Sequence, residues 1–140
     1  MTAVECRFCR GERPAADHRI ADLGTSGLYL NDDQFFPGWV VLVLKAHATE
    51  LFELDSDERA RMMDEVSRVA AVLHELFAPR KINYACLGNQ IAHIHWHVVP
   101  RSSDDPAPLE AVWSVPHAPL RLAPAALAAR IAKLSSRLGR

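Results

Sequence analysis

The chain has 140 residues, 49% hydrophobic and 24% charged, enough for one domain around one core. No apolar run approaches the roughly 20 residues that span a bilayer, and the N-terminus lacks a basic-then-apolar leader pattern, so a membrane or exported protein is not expected. A net charge of −1 excludes a general polyanion binder.

That charge hides an asymmetry. Residues 121–140 hold Arg121, Arg130, Lys133, Arg137 and Arg140 and no acidic side chain. They read as the solvated face of a helix rather than a nucleic-acid or membrane contact. Three cysteines, two in a close pair, suit a reducing compartment, and the cytoplasm is expected.

In chain order, Cys6-Arg7-Phe8-Cys9 comes first. Its Cys-x2-Cys spacing can chelate a zinc ion but supplies only half of a closed tetrahedral site; two reduced structural cysteines share the spacing. Residues 11–14 read as a loop, and His18-Arg19-Ile20 starts a short strand. After a turn at 24–27, Leu28-Tyr29-Leu30 is an alternating strand ended by Asn31-Asp32-Asp33, whose carboxylates suit a turn better than catalysis. The unbroken apolar run from Trp39 to Leu44 predicts a central strand buried on both faces, with Lys45 capping its end in solvent. Residues 55–78 predict a long helix, with Asp55 and Glu58 as a capping box and Pro79 beyond its end. Met62, Val66, Val69, Leu73, Leu76 and Phe77 form its apolar stripe, and His74 within it reads as structural.

Residues 82–87 predict a further strand, turning at Gly88-Asn89 into another over 92–101. There His93, His95 and His97 alternate with Ile94, Trp96 and Val98, so a strand puts the three imidazoles on one face and the apolar side chains in the core. Neighbouring histidines would sit about 6.6 Å apart and the outer two about 13 Å. A straight strand cannot bring all three to one metal, so separate tasks are expected. Three of seven histidines within five residues mark a site. Beyond it, 102–106 is a loop, Trp113 reads as an anchor into the core or a partner, and 124–138 predicts a last helix. Pro124 opens that helix, and Leu127, Ile131, Leu134 and Leu138 line its packing face.

Leu87-Gly88-Asn89 followed by His93-Ile94-His95-Trp96-His97-Val98-Val99 fits the His-φ-His-φ-His-φ-φ signature at every position. The chain thus resembles the histidine triad (HIT) superfamily, in particular bacterial HIT-like hydrolases related to diadenosine tetraphosphate hydrolases. The resemblance covers residues 5–115. It implies an α+β fold, with an antiparallel sheet of about five strands, one long covering helix, and the C-terminal helix as an addition. It also implies a homodimer.

The resemblance assigns catalysis to His93, His95 and His97, with His95 attacking the α-phosphorus of a purine nucleotide conjugate, and water resolving the nucleotidyl-histidine. The conjugate would be a dinucleoside polyphosphate or a nucleoside phosphoramidate. His97, Asn89 and Gln90 would donate hydrogen bonds to the nonbridging oxygens, with Asn83 carried over as a further contact. Leu30, Asn31 and Phe35 fall where the family lines its nucleoside site. Zinc-bearing members imply Cys6, Cys9, His47 and His93 as a structural Cys2His2 site, with no metal required for the chemistry. Trp39 stands where many members have a fourth histidine near the phosphate, leaving open what assists the leaving group. A nucleotide-binding module without turnover is the alternative. A catalytic zinc hydrolase lacks a third ligand in the motif.

Overall fold

The computed structural model describes residues 1–139; Arg140, counted above with the basic tail, lies outside them. Five strands, β1 (Arg19–Asp22), β2 (Ser26–Leu30), β3 (Val40–Leu44), β4 (Lys81–Ala85) and β5 (His95–Arg101), form one antiparallel sheet in the order β1-β2-β3-β5-β4. Two α-helices complete the α+β fold: α1 (Ser56–Phe77) between β3 and β4, and α2 (Pro124–Leu138) at the end. No helix among the described residues is long and apolar enough to cross a membrane.

The apolar run of β3 is buried at all five positions, as its unbroken hydrophobicity requires of a strand covered on both faces. Val40 and Leu42 point with Leu28, Leu30 and Val98 into the main core, where Val66, Val69 and Leu73 of α1 and Leu134 and Leu138 of α2 close over them. Each such side chain contributes roughly 1.5–3 kcal/mol by leaving water. Val41 and Val43 point to the opposite face, opposite His97 and His95 of β5. The same alternation therefore fixes the core and the site.

Helix α1 starts at the expected capping box, Asp55 and Glu58, and ends where Ala78 turns left-handed at φ 44°. Its Glu65 carboxylate, nearly buried, accepts from the Thr25 and Ser26 N–H groups at 2.7 and 3.0 Å and pins the β1–β2 turn. The β2–β3 loop is organised by buried Gln34. Its amide donates to the Asn31 and Trp39 carbonyls and accepts from the Gly38 N–H. Gly38 has φ +90°, and a Cβ there would meet the Phe77 ring at 2.9 Å.

The strand bounds differ from the sequence reading: β2 starts at Ser26 rather than Leu28, β3 at Val40 rather than Trp39, and three further segments depart from it. The segment at His18 is a one-turn 3-10 helix (Ala16–His18), and β1 begins only at Arg19. β4 runs Lys81–Ala85 rather than 82–87. The histidine strand starts at His95, not at residue 92: the His93 N–H turns back to the Ile91 carbonyl, and Ile94 donates to Ala48 beyond the end of β3. That break in the ladder decides where His93 goes.

Candidate active site

His95 sits at the first position of β5 with little exposure. Its Nδ1–H donates to the His93 carbonyl at 2.6 Å, which leaves Nε2 with a free lone pair. Burial pushes its pKa below the ordinary histidine value, against the opposing pull of that carbonyl, so the ring is neutral near pH 7. Two residues on, His97 presents its ring 5.2 Å from that of His95, closer than ideal strand spacing because the rings tilt to 71°. Burial, with the His95 charge second, lowers the His97 pKa to about 4. The Trp39 indole Nε1–H donates to His97 Nδ1 at 3.0 Å. A bare nitrogen and a ring N–H thus stand side by side, the arrangement that nucleophilic attack on a charged, oxygen-rich centre needs.

These two histidines open onto a cavity of about 450 Å3, within the roughly 300–1,000 Å3 of small-molecule sites. Gly88 (φ +71°) turns the 86–94 loop so that Asn89 and Gln90, both exposed, flank the cavity. Leu30 and Asn31 border it from the end of β2. Six of the sequence-derived residues, Leu30, Asn31, Asn89, Gln90, His95 and His97, therefore meet at one place.

Others lie elsewhere. Asn83 lies on the same sheet face, opposite Val99, but does not border this cavity; its Oδ1 accepts from Arg101 Nη1 at 2.8 Å. Phe35 stacks on His117 at 4.2 Å instead of bordering the cavity. Lys45 binds Asp22 at the solvent end of β3, as expected. His93 leaves the triad face because β5 begins after it.

His93 is almost wholly buried, and its Nε2–H donates to the Leu44 carbonyl at 2.6 Å. Its free Nδ1 lies 3.4 Å from Cys6 Sγ, 3.5 Å from Cys9 Sγ and 3.2 Å from His47 Nδ1. Cys9 Sγ lies 3.3 Å from the same His47 nitrogen. All four ligand atoms fall within 4.8 Å of one another. A tetrahedral zinc holds its nitrogen ligands about 3.4 Å apart and its sulfur–nitrogen pairs slightly further, so the donor set and its spacing fit that ion. The Leu44 carbonyl fixes the His93 tautomer as an outer partner should.

Several neighbours were not legible in the sequence. Phe8, between the paired cysteines, packs its edge on His95 at 4.9 Å. Arg13 also borders the cavity, beside Asp32. Trp113 is not a core anchor: half exposed, it lies edge-on to His97 at 5.0 Å and to Trp39 at 5.8 Å. Arg101, buried, gathers the chain beyond β5 through Asp105, Ala107 and Glu110. An arginine closing a strand and an acid four residues on were the only local signals of that network.

A family model described as "HIT domain" matches residues 13–104. Among curated proteins, adenosine 5'-monophosphoramidase hnt1 of Schizosaccharomyces pombe is 22% identical over 110 residues, 75% of this chain and 78% of that protein. A histidine triad protein from Marinobacter aquaeolei superposes with a TM-score of 0.82 at 32% identity, covering 91% of this chain and 93% of the other. One from Bradyrhizobium japonicum gives 0.79 at 32%, covering 86% and 89%.

Proposed function

The chain belongs to the HIT domain family, and from that membership we propose that it hydrolyses nucleotide conjugates at the α-phosphate through a covalent intermediate on His95. The observation that carries the reading is the bare Nε2 of His95, held by the 2.6 Å bond from its Nδ1–H to the His93 carbonyl. Nε2 forms a bond to the α-phosphorus as the bond to the leaving group breaks. Water then attacks phosphorus, the N–P bond breaks, and His95 is regenerated with release of the nucleotide. His97, with the Asn89 and Gln90 amides, donates to the nonbridging oxygens.

The activity named for the Schizosaccharomyces relative makes nucleoside phosphoramidates one candidate substrate class; dinucleoside polyphosphates are the other. Cys6, Cys9, His47 and His93 would hold zinc, which would tie the N-terminal segment to the sheet and supply no step of the reaction. β4 is an edge strand with Tyr84 exposed, and we place a homodimer contact there, with the protein in the cytoplasm.

The test is incubation of purified protein with diadenosine tetraphosphate and with an AMP-amine phosphoramidate, following AMP by chromatography. AMP release from either supports the reading and selects the class. Binding of AMP without turnover of either compound refutes it in favour of a binding module.

A further inference from the structure

Trp39 touches His97 in a way that restricts what the histidine can do. The indole is 5% exposed and packed in a cluster with Phe36, Val99, Val112 and Val115. Its backbone is fixed as well, because the Trp39 carbonyl accepts from the Asn31 N–H and the Gln34 amide at 3.0 and 2.9 Å. The indole nitrogen, 3.0 Å from His97 Nδ1, is an obligate donor: it has a proton to give and no lone pair to receive one. Around the rest of the imidazole lie Trp113 at 5.0 Å and His95 at 5.2 Å, ring to ring. The indole is thus the one polar neighbour at Nδ1 among the described residues.

A neutral imidazole carries one proton, and a donor at Nδ1 forces it onto Nε2. We propose that Trp39 is a positioning residue that locks His97 in the Nε2–H tautomer, so that His97 is a fixed hydrogen-bond donor to substrate and conducts no proton through its far nitrogen. A histidine at position 39 would accept as well as donate, and would let a proton pass between the two rings. The indole closes that route, and the leaving group must take its proton from solvent or from a group on the cavity side. The catalytic meaning of this lock rests on the hydrolase reading, but the tautomer itself does not.

The experiment is long-range 1H–15N correlation of the imidazoles in uniformly 15N-labelled free protein near neutral pH, wild type beside Trp39→Phe. His97 in the wild type is expected as a single Nε2–H tautomer, with a scalar coupling across the hydrogen bond between Trp39 Nε1 and His97 Nδ1. In Trp39→Phe the signals are expected to move to a mixture of tautomers. An Nδ1–H tautomer in the wild type, absence of the coupling, or an unchanged tautomer in the variant overturns the proposal. The wild-type spectrum alone decides it if the variant does not fold. In parallel, Trp39→Phe is expected to lower kcat on the phosphoramidate by on the order of tenfold or more with KM little changed, the size of one mispositioned proton-bearing group. A wild type that turns over no nucleotide conjugate refutes the hydrolase reading and leaves the spectroscopic result standing.

Discussion

Replacing Arg101 with methionine should destabilise the protein through the segment that follows the histidine strand. The guanidinium has 3% exposure and the Asp105 side chain none. Two of its nitrogens reach the Asp105 carboxylate at 2.5 and 3.1 Å. Nη1 donates to Asn83 Oδ1 and to the Glu110 carbonyl, and Nη2 also donates to the Ala107 carbonyl, all at 2.6–2.8 Å. The plane also lies 4.9 Å over the Phe36 ring. Methionine preserves the packing volume but strands the carboxylate and two carbonyls. Breaking a buried pair costs roughly 3–5 kcal/mol, and we expect about 3, because Asp105 keeps the Ala107 N–H. For a chain of this length that corresponds to a fall in Tm of roughly 10 °C. Urea unfolding of Arg101→Met, Asp105→Ala and the double variant gives the coupling directly, expected on the order of 2 kcal/mol. A loss under about 1 kcal/mol, the range of an exposed pair, would refute the reasoning.

Three further outcomes follow from the site. The bond to Asp33, against the opposing pull of burial and helped by the Val115 carbonyl, raises the His117 pKa above its ordinary value. Its contribution to stability is therefore complete below about pH 6.5 and lost as pH rises through the folded value, so His117→Gln should cost more on the acid side of neutrality than well above it, by thermal melts; equal losses at both would contradict this. Elemental analysis should find one zinc per chain, lost in Cys9→Ser with a lower Tm, while turnover per folded molecule persists; a chelator that stops turnover without unfolding the protein would mean catalytic metal. Because burial holds the His95 pKa below its ordinary value and that of His97 at about 4, kcat/KM should be flat around neutrality and fall only on the acid side of the ordinary histidine range; a loss beginning above neutrality would contradict it.

Periodicity carried the fold. The stripe of α1, the unbroken run of β3 and the alternation of β5 each reflect burial that neighbouring residues share locally, and each is found where the pattern put it. The start of β5 was not legible, because whether residues 92–94 pair depends on where the chain after β3 turns. His93 consequently serves the cysteine cluster rather than the cavity. Asn83 shows the same limit: its strand was readable, but the arginine that occupies its oxygen closes β5, 18 residues on. The contacts of Trp39 and Trp113 with His97 join three distant stretches, and no local spacing encodes them. Leu30, Asn31, Asn89, Gln90 and the two histidines of the cavity were found through the resemblance, which fixes chemistry at named positions where propensity cannot, whereas Phe8 and Arg13 carried no such signal.

The covalent step is tested most directly by rapid quench of wild type and His95→Ala with an AMP-amine phosphoramidate labelled in the adenylyl group, followed by intact-mass analysis and mapping of the labelled peptide. The account predicts an acid-labile adenylyl adduct on His95 in the wild type, and neither adduct nor AMP release in a variant that still binds AMP. Turnover at the wild-type rate by His95→Ala, or label on another residue, would contradict it.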